Sequence, residues 1–132
     1  MRIITLKGDS DKGKTTTLNI VYNTLLNNGG KSTNKQKLGG DPNDFFDLVI
    51  YNNQKIYFFT MGDYSGYLID SIRDCNSKGY DLLICACNSR FVRPFQEMNN
   101  YLHNIIDKTV VNSSSLELAA NNADATTIIN LI

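Results

Sequence analysis

The sequence predicts an α/β domain of three layers: a mostly parallel sheet of five or six strands, with one antiparallel edge strand, covered by helices on both faces. Three observations lead there. A glycine-rich loop stands between a short apolar strand pattern and a helical one. Two β-branched and aromatic runs follow with only three residues between them. From there to the end of the chain, strand and helix patterns alternate.

Residues 1–6 (M-R-I-I-T-L) are short, apolar and β-branched, as a buried strand requires. Gly8-Asp9-Ser10-Asp11-Lys12-Gly13-Lys14-Thr15 follows, matching G-x-x-x-x-G-K-[ST], the P-loop motif, at every fixed position. Residues 14–28 then place Leu18, Val21, Tyr22, Leu25 and Leu26 at helical spacing, and Gly29-Gly30 ends the run. Strand, glycine loop and helix are the context the motif needs. Gly8 and Gly13 let the backbone turn where a Cβ would clash, so the amides of residues 9–12 can point at a phosphate chain. The helix N-terminus adds partial positive charge at the same place. Lys14 is expected at the β- and γ-phosphates, and the Thr15 hydroxyl in the coordination of a Mg²⁺ bound to them.

Residues 31–44 are polar, with turn signals at Gly39-Gly40 and Asp41-Pro42, and predict a long loop. Two readings stand for it: a phosphate-sensing loop in which Ser32 or Thr33 touches phosphate or metal, or a plain surface loop. Residues 45–51 and 55–61 read as strands joined through Asn52-Asn53-Gln54, too short for a crossover helix, so they form an antiparallel hairpin with the first strand at the sheet edge. Asp63 follows an apolar strand, which suits a carboxylate that orients Mg²⁺; three residues on, the Gly66 amide can approach a γ-phosphate unobstructed.

Residues 64–78 carry Leu68, Ile72 and Cys75 at helical spacing before Gly79, and residues 81–87 form the next buried strand. Pro94 suits the first turn of a helix bearing Phe95, Met98, Tyr101, Leu102, Ile105 and Ile106 on its apolar side, with His103 at the surface. Residues 108–112 predict a last short strand. Ser114-x-x-Glu117 matches a capping box opening a final helix, whose apolar end at residues 128–132 should pack on the sheet or on a partner.

With 132 residues, 42% hydrophobic and 20% charged, the chain is sized for one globular domain. A formal net charge of zero gives no reason to expect nucleic acid or anionic lipid as a partner. No run approaches membrane-spanning length and no leader pattern precedes the first strand, so a cytoplasmic protein is expected. Cys85-x-Cys87, without a second cluster, reads as two small buried hydrophobes on one side of a strand.

This order of elements resembles the Ras-like small GTPases within the P-loop NTPases, along nearly the whole chain. The resemblance implies a P-loop NTPase fold in which Gly8, Gly13, Lys14, Thr15 and Thr16 hold phosphates and metal, Asp63 the Mg²⁺ shell and Gly66 the γ-phosphate. Two departures shape the expected activity. Tyr67 stands where that family commonly has a water-orienting Gln, which implies slow hydrolysis. Asn88-Ser89-Arg90-Phe91 stands where N-K-x-D would read guanine, so ATP is slightly favoured over GTP, with Arg90 or Phe91 available to stack on the base. Arg90 and Arg93 also resemble the phosphoryl-clamping arginines of P-loop small-molecule kinases, against two solvated arginines at a helix N-terminus as the other reading. The expectation is therefore Mg-dependent binding and slow hydrolysis of a nucleoside triphosphate. A switch acting through a protein partner, and a small-molecule kinase, are the alternatives.

Overall fold

The computed structural model describes all 132 residues. Its elements in chain order are β1 (Arg2–Gly8), α1 (Lys14–Asn27), β2 (Lys31–Ser32), β3 (Gln36–Lys37), β4 (Phe45–Tyr51), β5 (Gln54–Phe59), α2 (Ser65–Ser77), β6 (Leu82–Asn88), α3 (Arg93–Met98), β7 (Leu102–Asp107) and α4 (Ser114–Ile129). The seven strands form one mixed sheet in the order β2-β4-β5-β6-β1-β7, with β3 pairing on β4 as well.

The strand alternation sorts the core into two layers. Ile4 and Leu6 of β1, with Leu82, Ile84 and Ala86 of β6, face α1 and α4, where Leu18, Val21, Leu25, Ala125 and Ile128 close over them. Ile3, Leu83, Cys85 and Cys87 face the other way, onto Leu68, Ile72, Cys75 and Met98 of α2 and α3. Both central strands are thus buried on both faces, which accounts for their near-continuous apolar runs. The chain end packs where its apolar residues pointed: Ile128 is in the core, and Ile129, Leu131 and Ile132 lie against it. No helix is long and apolar enough to cross a membrane.

The sheet is not mostly parallel. β1 pairs in parallel with β6 and β7, and β5 with β6; the pairings of β4 with β5, β2 and β3 are all antiparallel. The hairpin itself is as expected, though tighter: Tyr51 pairs with Gln54, and the two connecting residues, Asn52 (φ 49°) and Asn53 (φ 61°), have the positive φ that a type I′ turn needs. What the sequence concealed is that β4 is not the edge. Its outer backbone groups are taken by the polar segment that precedes it, Lys31 and Ser32 opposite Ile50 and Val49, and Gln36 and Lys37 opposite Phe46 and Phe45. Asp47, fully buried in β4, anchors that segment, accepting from the Tyr22 hydroxyl at 2.8 Å, the Ser32 hydroxyl and the Asn34 amide at 2.9 Å. Lys35 lies over the rings of Tyr22 and Phe45, 4.7 and 4.5 Å from their centroids. Residues 33–35 and 38–44 remain irregular.

The second correction is at residues 93–112. α3 stops at Met98, where Asn99 and Asn100 close it with turn bonds to Phe95, Gln96 and Glu97. Leu102, Ile105 and Ile106 belong to a strand, β7, rather than to a helix face. The free edge of β1 outweighs the helical spacing: β7 runs beside it in register from Arg2 opposite Leu102 to Lys7 opposite Asp107. Residues 108–112 are consequently not a strand. After Lys108 donates its amide to Lys7 at 2.7 Å the chain turns away. α4 is capped one residue earlier than the capping box predicts, by Ser113, whose hydroxyl accepts from the Ser115 amide.

Candidate functional site

Residues 9–13 run from the end of β1 to the start of α1, and the turn depends on left-handed backbone at Asp11 (φ 60°) and Gly13 (φ 90°). Gly13 has a second constraint, since a Cβ there would lie 2.8 Å from the Asn121 side-chain oxygen on α4. The Gly13 carbonyl opens the helix by accepting from the amide and hydroxyl of Thr17.

Lys14 is 6% exposed, and its ammonium donates to the carbonyls of Gly8 (2.8 Å) and Asp9 (2.6 Å) and forms no ion pair. Burial holds its pKa below the usual lysine value, against the opposing charges of Asp63 and Asp9. Asp9 accepts from the Ser89 hydroxyl, and that bond, with the nearby charges of Arg90 and Lys14, outweighs desolvation and holds its carboxyl below the ordinary value.

Beyond Lys14 lies a cavity of about 340 Å³ without a single apolar lining residue. Lys14, Thr15 and Thr16 form its wall on the α1 side; Asp11, Asp41, Asp44, Asp63 and Glu117 surround it with carboxylates. The Thr15 hydroxyl donates to Asp44 at 2.8 Å, and Thr60 donates to the same carboxylate oxygen at 2.9 Å while accepting from the Phe45 amide. Asn19 adds a bond to the Asn43 carbonyl. Asp63 accepts from Ser10 at 3.1 Å and Asn88 at 3.2 Å, and Asn88 also donates to Ser10. Asp63 therefore reaches the glycine loop from β5, across the intervening β6.

The structure thus gathers Lys14, Thr15, Thr16 and Asp63 around one cavity, with the loop residues Gly8 to Gly13 beside them. Other candidates lie elsewhere. Gly66 borders a separate surface hollow with Tyr64 and Tyr67. Arg93 sits in a third, with Arg73 and Glu97. Ser32 and Thr33 are bonded to β4 at Asp47 and Leu48. Arg90 approaches Asp9, while Phe91 packs partly against the core and the Asn88 amide is engaged with the loop.

Three residues that sequence reasoning passed over belong to the site: Asp44, Asn121 and Glu117. Asp44 read only as the last residue of a long polar loop. The signal for Asn121 was a polar residue on a buried helical stripe, since Ala120, Asn121, Asp124, Ala125 and Ile128 are the buried positions of α4.

For a divalent cation the donors at hand are hard oxygens, the hydroxyl of Thr15 and the carboxylates of Asp44 and Asp63. No three His, Cys, Asp or Glu side chains converge as a cage. A Mg²⁺ ion keeps most of its waters and needs only one or two protein oxygens together with phosphate oxygens. No protein-family profile, curated protein sequence or solved structure matches this chain.

Proposed function

We propose that the chain is a P-loop NTPase domain that binds a nucleoside triphosphate with Mg²⁺ and hydrolyses it slowly to the diphosphate and phosphate, ATP being slightly favoured over GTP. The observation that carries this reading is Lys14. An ammonium nearly sealed at the end of a glycine loop is held by two carbonyls and is in no direct ion pair, although carboxylates stand nearby. A β,γ-phosphate supplies a direct counterion, with the loop amides and the N-terminus of α1 as further donors.

The surrounding carboxylates explain why the ligand would come with a metal. Five of them ring the cavity against one ammonium, so a bare triphosphate meets repulsion. Bound Mg²⁺ would neutralise charge on the β- and γ-oxygens. Thr15 would give it a hydroxyl oxygen, with Asp44 and Asp63 holding it or its waters. In hydrolysis a water oxygen bonds to the γ-phosphorus, and the β–γ bridging oxygen leaves with the electron pair as part of the diphosphate. Lys14 stabilises the charge that develops there. Tyr67, 62% exposed and outside the cavity, offers no group to orient that water, which supports slow turnover.

Calorimetry with ATP, GTP and their diphosphates, with and without Mg²⁺, tests the reading directly. Binding should require Mg²⁺ and fall about a hundredfold or more in Lys14→Ala. A wild-type chain that binds no nucleotide would remove the proposal.

One observation favours a switch acting through a protein partner as a second reading. The Thr15 hydroxyl is hydrogen-bonded to Asp44, and this bond, with Asn19 to Asn43, ties residues 38–44 to α1. A metal at Thr15 would compete for the same groups, so ligand binding and the placement of residues 38–44 are coupled. That segment and residues 61–74 wall an open groove of about 990 Å³ that shares Asp41, Asp44 and Asp63 with the phosphate cavity. Hydrogen exchange in residues 38–44 and 62–67 should differ between diphosphate and triphosphate-analogue complexes; equal protection counts against the switch.

A further inference from the structure

Asn121 is 8% exposed, yet its side-chain amide takes part in no hydrogen bond. No fully enclosed side-chain nitrogen or oxygen in the molecule lacks a partner. The little exposure that Asn121 keeps is therefore at its amide, and what the amide faces is cavity. It lines the phosphate cavity and also a smaller one of about 120 Å³ on the far side of Gly13. A donor and an acceptor are thus held, without a protein partner, at the junction of two cavities, where a ligand can take up both.

The two cavities differ in kind. The phosphate cavity is polar throughout, while the smaller one has Val110, Val111 and Ala120 among its walls. A nucleotide has the same sequence of surfaces: anionic phosphates, a sugar with hydroxyls, then a planar base with apolar faces. Glu117 lines both cavities as well, and stands one helical turn before Asn121, so α4 presents a carboxylate and an amide on one stripe at the joint.

We infer that the nucleoside half of the ligand lies across Gly13 in the slot between residues 109–111 and α4, its ribose hydroxyls bonded by Asn121 and Glu117 and its base against Val110 and Val111. This rests on the triphosphate reading above and names the part of the ligand that the reading leaves open. It moves the base away from residues 88–91. The ribose diol donates to the Glu117 carboxylate and both donates to and accepts from the Asn121 amide. The slot offers its base apolar contact from two valines, which any purine satisfies.

The test compares the affinities of Mg–ATP, Mg–2′,3′-dideoxy-ATP and Mg–tripolyphosphate. Wild type should bind ATP about tenfold more tightly than the dideoxy analogue. Asn121→Ala and Glu117→Ala should each shrink that preference severalfold, with tripolyphosphate affinity as the reference for any change in the phosphate cavity, which both residues also line. Glu117 is exposed, so its variant keeps the test open if Asn121→Ala, beside Gly13, loosens the loop. Cross-linking with 8-azido-ATP should label residues 108–121. Equal binding of ATP and dideoxy-ATP by wild type, an undiminished preference in both variants, or label confined to residues 88–95 would each overturn the inference and leave the triphosphate reading standing. Failure of wild type to bind either ATP or tripolyphosphate would end both.

Discussion

Removing the Asp124 carboxylate should cost this chain a large fraction of its stability, although the residue lies on the last helix. Asp124 accepts from the Lys108 ammonium at 2.7 Å, the Thr109 amide at 2.8 Å and the Thr109 hydroxyl at 2.7 Å. The Lys108 and Asp124 side chains are 1% and 8% exposed, so solvent screens the pair little. Asp124→Ala leaves the ammonium buried with only the Thr109 carbonyl, at 2.9 Å, as a partner. Breaking a buried pair in this way typically costs about 3–5 kcal/mol. At ~2.1 cal/mol/K per residue, the 132-residue chain has an unfolding entropy of about 0.28 kcal/mol/K, so Tm should fall by about 11–18 °C. Calorimetric melting measures it, and Lys108→Met combined with Asp124→Leu should recover more than half of the loss, because two apolar groups leave no buried charge. A Tm drop under about 3 °C in Asp124→Ala would show that the pair is screened and refute the reasoning. The sign with pH follows. Burial alone would raise the Asp124 pKa, but the bonds from Lys108 and Thr109 outweigh it and hold it below the ordinary value. Its contribution is present above about pH 4 and lost as pH falls through the depressed native pKa, so Asp124→Asn should flatten the acid limb of the stability curve.

Three further outcomes can be checked independently. Asp44→Asn should keep the fold, since an amide oxygen still accepts from Thr15 and Thr60, but should raise the Mg²⁺ concentration for half-maximal nucleotide binding about tenfold; an unchanged requirement removes Asp44 from the metal site. Gly62→Ala would put a Cβ 2.9 Å from the Ala86 backbone carbon, so β5 and β6 must part where Asp63 leaves the sheet, at a cost of about 1–3 kcal/mol in denaturant unfolding; a neutral result would show that the strand end gives freely. Burial pushes the Cys75 and Cys87 thiols up to about 12, and Cys85 higher still, so at pH 8 none should react with a thiol reagent in the native state while all three react after unfolding. Fast native labelling would mean that the α2 side of the sheet opens.

What the sequence revealed and what it hid divide along a physical line. β1, the glycine loop and α1 are local: the apolar run, the motif and the helical period lie within residues 1–28, and each predicts its own structure. The hairpin is local too, fixed by Asn52 and Asn53. β7 is not. Leu102, Ile105 and Ile106 satisfy a helical template as well as a strand, and what decides between them is the free edge of β1, about a hundred residues earlier in the chain. β2 and β3 are invisible for the same reason. Lys31, Ser32, Gln36 and Lys37 have no strand composition, and they pair because β4 offers unpaired backbone and Asp47 offers a buried carboxylate. At the site, Lys14 and Thr15 were legible from the motif, whereas Asp44 depends on how residues 38–44 fold back onto α1.

The region that pairs as β7 rather than forming a helix also shapes the slot beyond Gly13, where the nucleoside is proposed to lie. Because residues 102–107 pair with β1, Lys108 continues alongside Lys7 and its Cβ lies 2.9 Å from where a Cβ on Gly8 would stand. From there residues 109–113 lead into α4, which sets Asp124 against Lys108 and, one turn earlier, Asn121 against Gly13. Both glycines of the loop are thus hemmed in by the last quarter of the chain. A Cβ at either position would strike α4 or its approach before it reached any ligand. The ion pair that fixes α4 accordingly fixes the slot beyond Gly13 as well. If that coupling holds, the more conservative Asp124→Asn should weaken ATP binding more than tripolyphosphate binding, because α4 meets the glycine loop at Gly13 but walls the slot with Glu117, Ala120 and Asn121. Equal losses for the two ligands would mean that α4 supports the loop as a whole and has no separate hold on the nucleoside.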